Sequence, residues 1–339
     1  MEQVSSLPQP NEPISPRMTP ELVGDVIATA GRAPSLHNSQ PWRFRVDGNV
    51  LELRADAQRA MHVSDPEARE LVISCGAALY NLRLALRGKS LTPQVRITPV
   101  KDDPLLLARI TAESGPSPTP DERRLLAAVV RRHTHRHGFA PAPIADTLAS
   151  ALEAEVAAEG ARLVWVDDHD RVRAVAELTL LADRLQVGDA LWQQEIERWV
   201  DTARRGRRDG VPITAVPPMP PQRRDTDRLP TRSFVADRSQ PAADPRPGAV
   251  GRIAVLVTDG DELTDWLTAG QALQRMLLRA ADGWVFATYA TAPLEVPYLR
   301  QALRDILVMR DYPQMLLELG HAGHAHTTPR LPADEQLDR

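Results

Sequence analysis

Ten consecutive residues, Ala33-Pro34-Ser35-Leu36-His37-Asn38-Ser39-Gln40-Pro41-Trp42, hold two hydroxyls, two amides and several backbone donors between two prolines. Such a loop can hydrogen-bond the edge of a heteroaromatic ring while satisfying its own polar groups. Any one of these residues alone reads as an ordinary turn; the string together does not. A second string, Arg131-Arg132-His133-Thr134-His135-Arg136-His137, offers guanidinium forks that suit phosphate oxygens, with a threonine hydroxyl between them. Composition alone also allows a solvated charge cluster at a helix C-terminus. Histidines form two groups, His133, His135 and His137, then His321, His324 and His326. Alternate histidines on an extended segment share a face, a pattern compatible with a metal site. No carboxylate lies near enough in sequence to orient them, so the reading without a metal is preferred.

Specific elements must place these strings. Thr19-Pro20-Glu21 predicts a helix start, with Thr19 as cap, and the helix runs to Ala30 with Gly31 as its stop. Trp42–Val46 and Val50–Arg54 alternate around Asp47-Gly48, a hairpin signal. Asp65-Pro66-Glu67 predicts the start of a second helix ending near Gly88, apolar on nearly all sides from Leu71 to Leu86 and therefore buried. Strands are expected at Gln94–Ile97, Leu105–Thr111, Arg162–Val166, Arg252–Val257, Trp284–Tyr289 and Gln314–Leu319. Helices are expected at Asp121–Arg131, Ile144–Glu159, Arg171–Gln186, Asp189–Arg205 and Asp261–Ala281. Residues 206–248 hold nine of the 30 prolines and little apolar periodicity, which marks a long insertion of the lid type. Trp192 and Trp199, seven apart on one helical face, read as packing at its base. The stretch Gly76–Leu84 faintly repeats as Gly270–Leu278, either by chance or as a duplicated half.

The whole chain narrows the function class. With 42% hydrophobic and 25% charged residues, 339 residues can build a real core. A net charge of −4 provides no global field for nucleic acid or anionic membrane. The arginine run at 204–208 reads as a solvated surface, since no nucleic-acid motif accompanies it. The single Cys75, set in an apolar helix, reads as core and fits a reducing compartment. Neither a membrane span nor an export signal is apparent, so a cytoplasmic location is expected.

Pro34-Ser35-x-x-Asn38-Ser39-Gln40-Pro41-Trp42 resembles the PSxxNxQPW signature of the nitroreductase superfamily, whose members bind FMN. Arg132-x-Thr134-x-Arg136, with Phe139 beyond, is similar to that superfamily's flavin-phosphate motif. The layout resembles the Acg-like branch, in which two nitroreductase-like halves share one chain. The resemblance implies an α+β fold: mostly antiparallel sheets flanked by helices, as a single-chain pseudo-dimer. The implied division is a tail at 1–18, one half at 19–115, a second at 116–332 carrying the insertion 206–248, and a tail at 333–339. It implies one FMN per chain, because the PSxxN loop occurs in the first half alone and the arginine motif in the second alone. Arg132, Thr134, Arg136 and Arg330 would hold the phosphate. Pro34, Ser35, Leu36, Asn38 and Gln40 would approach the ring and ribityl chain. Backbone from Tyr289 through Ala290 to Pro293 would reach the edge of the flavin ring. No catalytic acid or base is implied, and no metal. The expected activity is hydride transfer from NAD(P)H to a small electrophilic acceptor, by a monomer or homodimer. The alternative is a flavin-sequestering protein with a closed lid and little turnover.

Overall fold

The computed structural model describes residues 18–97, 102–136, 138–201, 206–212, 215, 229, 251–323 and 327–338. The expected N-terminal tail, most of the insertion, and His137, His324 and His326 lie outside them.

The first half opens with α1 (Pro20–Ala30), where Thr19 accepts a hydrogen bond from Leu22 N–H and Pro20 occupies the first turn. The hairpin follows as β1 (Trp42–Asp47) and β2 (Val50–Ala55), with Gly48 at φ +59° in the turn. Then come α2 (Arg69–Gly88), β3 (Leu91–Ile97) and β4 (Leu106–Ser114). The helix α2 begins three residues later than a start at Pro66. Ala68 sits at φ +57°, outside the helical region, while Asp65 reaches over it and accepts hydrogen bonds from Glu70 and Leu71 N–H at 3.1 and 2.8 Å. The second half contains α3 (Pro120–Ala128), α4 (Asp146–Ala157), β5 (Arg162–Val166), α5 (His169–Val187) and α6 (Ala190–Trp199). It continues with β6 (Val200–Asp201), β7 (Val211–Pro212), β8 (Arg252–Thr258), α7 (Leu263–Asp282), β9 (Val285–Tyr289), α8 (Pro297–Leu307), β10 (Tyr312–His321) and α9 (Ala333–Gln336). The expected helix to Arg205 ends at Trp199, because the chain turns there into β6, which pairs in parallel with β7. Residues after Pro332 form α9 rather than a tail, and Leu337 bridges to Phe44.

Two four-stranded antiparallel sheets result, ordered β1-β2-β4-β3 and β5-β8-β10-β9. Each follows the same plan: the first, second, fourth and third of its own strands in chain order. In each, the long helix (α2 or α7) leaves the second strand. This twice-used topology supports the duplicated-half reading of the faint repeat. The sheets differ in cover. In β8 every residue from Ile253 to Thr258 is buried, because α4 and α7 pack one face and α5 and α8 the other. In β1 burial nearly alternates, with Trp42 and Phe44 turned to a core shared with α1 and α2. The two long helices meet at the repeated glycines. A Cβ on Gly270 would lie 2.8 Å from the Gly76 Cα, and one on Gly76 3.0 Å from the Gly270 Cα. No helix among the described residues is long and apolar enough to cross a membrane.

Candidate cofactor site

A cavity opens where the halves meet, enclosing about 770 Å³ of non-atom space that includes its mouth open to solvent. One wall is Pro34, Ser35, Leu36 and His37; the opposite wall is Thr134, His135 and Arg136, with Thr288, Tyr289 and Thr291 beside it. The floor is a single stripe of α2, Glu70, Ile73, Ser74 and Ala77, completed by Leu273 of α7 and Met315 of β10. That i, i+3, i+4, i+7 spacing is the face a helix turns toward one neighbour. Sequence reasoning missed it because the stripe sits inside a helix apolar on every side.

The first wall is a strained loop. His37, Asn38 and Gln40 take φ values of +46°, +57° and +53°, a region costing non-glycine residues about 1–2 kcal/mol each. Side chains compensate. Ser35 Oγ accepts from Gln40 N–H at 2.9 Å. The Asn38 amide donates to the Gly210 and Pro329 carbonyls at 2.9 and 3.1 Å, and its oxygen accepts from Arg330 at 2.6 Å. Gln40 donates to the Arg208 carbonyl and accepts from Leu331 N–H, each at 2.9 Å. Asn38 and Gln40 are therefore buried away from the cavity, joining three chain segments behind its wall. Segment 206–212 is fixed further by an Arg59–Asp209 ion pair at 2.8 Å.

The second wall runs beside β9 and pairs with it at one point: Thr134 bridges Ala287, and His135 N–H donates to the Ala287 carbonyl at 2.9 Å. Alternation along it sorts the motif. His133 packs on Phe286 with ring centroids 4.2 Å apart, and His135 stacks on Phe139 at 5.0 Å. Thr134 and Arg136 line the cavity, and His135 borders it too. Among the described residues no group of three or more His, Cys, Asp or Glu is arranged to hold a metal.

Arg132, Arg136 and Arg330 form no ion pair with a carboxylate among the described residues. Arg132 Nε, Arg136 Nη1, Arg330 Nε and Tyr289 Oη are buried without a hydrogen-bond partner among the described residues. Burial, joined by repulsion from Arg132, lowers Arg136 to about 10. Burial and the neighbouring guanidiniums of Arg132, Arg32 and Arg136 lower Arg330 to about 9. Burial pushes the Tyr289 hydroxyl up to about 12, so it stays a neutral donor near neutral pH. A guanidinium does not give up its proton in a protein, so the chemistry that relieves this cluster is an anion with several acceptor oxygens. Arg32, absent from the sequence-derived set, belongs to the cluster: its carbonyl accepts from Arg132 at 3.0 Å.

Of the other sequence-derived residues, Ala290 is buried against β10, its N–H donating to the Leu316 carbonyl at 3.0 Å, and Pro293 is buried in the turn Ala292–Leu294. Neither lines the cavity. Trp192 and Trp199 are buried in packing around α6, away from it.

No family model matches the chain. Two proteins of Mycobacterium tuberculosis that bear the name "Putative NAD(P)H nitroreductase", Rv3131 and acg, are similar to it. The first is 33% identical over 93% of this chain and 90% of its own length, the second 28% identical over 94% and 96%. Among solved structures, a nitroreductase with bound FMN from Desulfitobacterium hafniense is 11% identical, covering 64% of this chain and 97% of that one, at a TM-score of 0.39. A nitroreductase-type structure from Anabaena variabilis is 9% identical, covering 81% and 69%, at a TM-score of 0.44.

Proposed function

Because the chain belongs to the NAD(P)H nitroreductase family, we propose that it is an FMN-dependent oxidoreductase, holding one FMN per chain and passing hydride from NAD(P)H to a small electrophilic acceptor. The observation that carries this reading is the cluster of Arg132, Arg136, Arg330 and Tyr289, each with one buried donor atom that has no hydrogen-bond partner among the described residues. Its charge suits a phosphate dianion, and the adjoining cavity suits a flat ring.

In this reading Arg132, Thr134, Arg136 and Arg330 hold the phosphate, and the Tyr289 hydroxyl adds a neutral donor. Pro34, Ser35 and Leu36 pack beside the ring system over the Ile73, Ser74 and Ala77 floor. Asn38 and Gln40 keep the strained wall in place from behind. The chemistry supplied by bound FMN is hydride acceptance and donation, so no side-chain nucleophile is required. The protein's own residues bind, orient and exclude water.

The first test is a visible absorption spectrum of the purified protein, with the released cofactor identified by mass. About one FMN per chain is expected, and anaerobic NADH or NADPH should bleach it. A flavin that stays oxidised would favour the sequestering alternative. A colourless protein that does not take up FMN would sink the reading.

A further inference from the structure

The segment that follows Arg330 is strapped to the first half at several points, and one side chain, Gln336, also folds it back on itself. Gln336, 1% exposed, accepts a hydrogen bond from the Trp42 indole N–H at 2.7 Å. Its amide donates to the Leu331 carbonyl at 2.7 Å and the Pro332 carbonyl at 3.3 Å, folding the segment back on itself directly after Arg330. The amide rests on Gly31: a Cβ there would lie 2.5 Å from both its nitrogen and its oxygen. Gly31 has φ −63°, a conformation open to any residue, so its lack of a side chain serves this contact rather than the backbone. Asp338 N–H donates to the Phe44 carbonyl at 2.7 Å, carrying the strap along β1.

We propose that Gln336 is a positioning residue for Arg330: seated between Gly31 and Trp42, it holds the strap that aims the Arg330 guanidinium at the flavin phosphate without touching the ligand. This rests on the FMN reading above. It makes phosphate recognition depend on a residue six positions away, against a helix end from the other half of the chain.

Two substitutions approach the contact from opposite sides. Gln336→Ala removes the amide. Gly31→Ala inserts a methyl group beneath it while leaving the helix end conformationally content, and the far end of a glutamine side chain can move aside, so the fold should tolerate it. Dissociation constants for FMN and for riboflavin, read by flavin fluorescence, separate phosphate recognition from ring binding. In Gln336→Ala, FMN affinity should fall about tenfold while riboflavin stays within about twofold. Gly31→Ala should move the same ratio in the same direction. The double variant should match Gln336→Ala, since the two act on one contact. If either folded variant weakens both flavins equally, or leaves the ratio unchanged while Arg330→Ala collapses it, the positioning role is overturned. If Gln336→Ala does not fold, the Gly31→Ala ratio decides. If the unaltered protein itself shows no preference for FMN over riboflavin, the FMN reading falls first and the inference with it.

Discussion

Gly76 of α2 and Gly270 of α7 lie against each other where the halves cross, so closely that a Cβ on Gly270 would stand 2.0 Å from the Ile73 carbonyl oxygen. The obstacle is backbone, which cannot rotate away. Gly270→Ala should force the helices apart and cost about 3 kcal/mol, at the upper end of overpacking effects. A urea midpoint within error of the parent's would show that the crossing is looser than described.

The arginine cluster makes a prediction about the protein with and without ligand. An unpaired buried cation is a burden until an anion arrives. Arg136→Ala should therefore leave the flavin-free protein as stable as the parent or more so. FMN at a hundred times its dissociation constant stabilises by about 2.7 kcal/mol through mass action, and most of that gain should vanish in the variant. Thermal melts with and without FMN would check both halves of the statement.

A pH dependence follows from Asp261. Burial raises its carboxyl, but hydrogen bonds from Arg300, Trp266 and Gln314 outweigh that and bring it down to about 2. The unfolded chain takes up this proton first, near 3.8. The stabilisation is thus fully present above about pH 4 and lost as pH falls toward 2. Asp261→Asn should flatten the fall of the urea midpoint across that window. An unchanged slope would mean that other carboxylates govern acid unfolding.

Asn38 combines strain with bonding, and two substitutions separate them. Asn38→Ala removes the amide that donates to the Gly210 and Pro329 carbonyls and accepts from Arg330, and puts alanine at φ +57°. A loss of about 2–3 kcal/mol is expected. Asn38→Gly removes the strain but not the lost bonds, so it should be about 1 kcal/mol milder in urea denaturation. Equal losses would show that the left-handed backbone carries little cost here.

Local signals made much of this legible. The hairpin around Asp47-Gly48 and the cap at Thr19 follow from alternation and capping chemistry, and the buried α2 from its all-round apolarity. The two motif strings fall on facing walls of one cavity because each has a rigid neighbour, α1 and β1 for one, β9 for the other. What stayed hidden depends on distant partners. Nothing near Gln336 in sequence announces Trp42, 294 residues away, so α9 read as a tail. Asp65 caps α2 across a left-handed Ala68 that no propensity favours. The helix α8, absent from the expectations, does carry its own signal: Pro297 at the first turn and buried Leu299, Leu303 and Leu307 at four-residue spacing.

The alternation along residues 132–136 has a consequence for which genetic changes the protein can survive. Histidines that stack on Phe286 and Phe139 occupy odd positions, and Thr134 and Arg136, which line the cavity together with His135, occupy even ones. Replacing one residue alters one contact. Deleting or inserting one between Ala128 and Thr134 would instead shift the whole stretch by one position beside β9, turning guanidiniums toward Phe286 and Phe139. In this stretch the count of residues is under stricter constraint than the identity of any one of them.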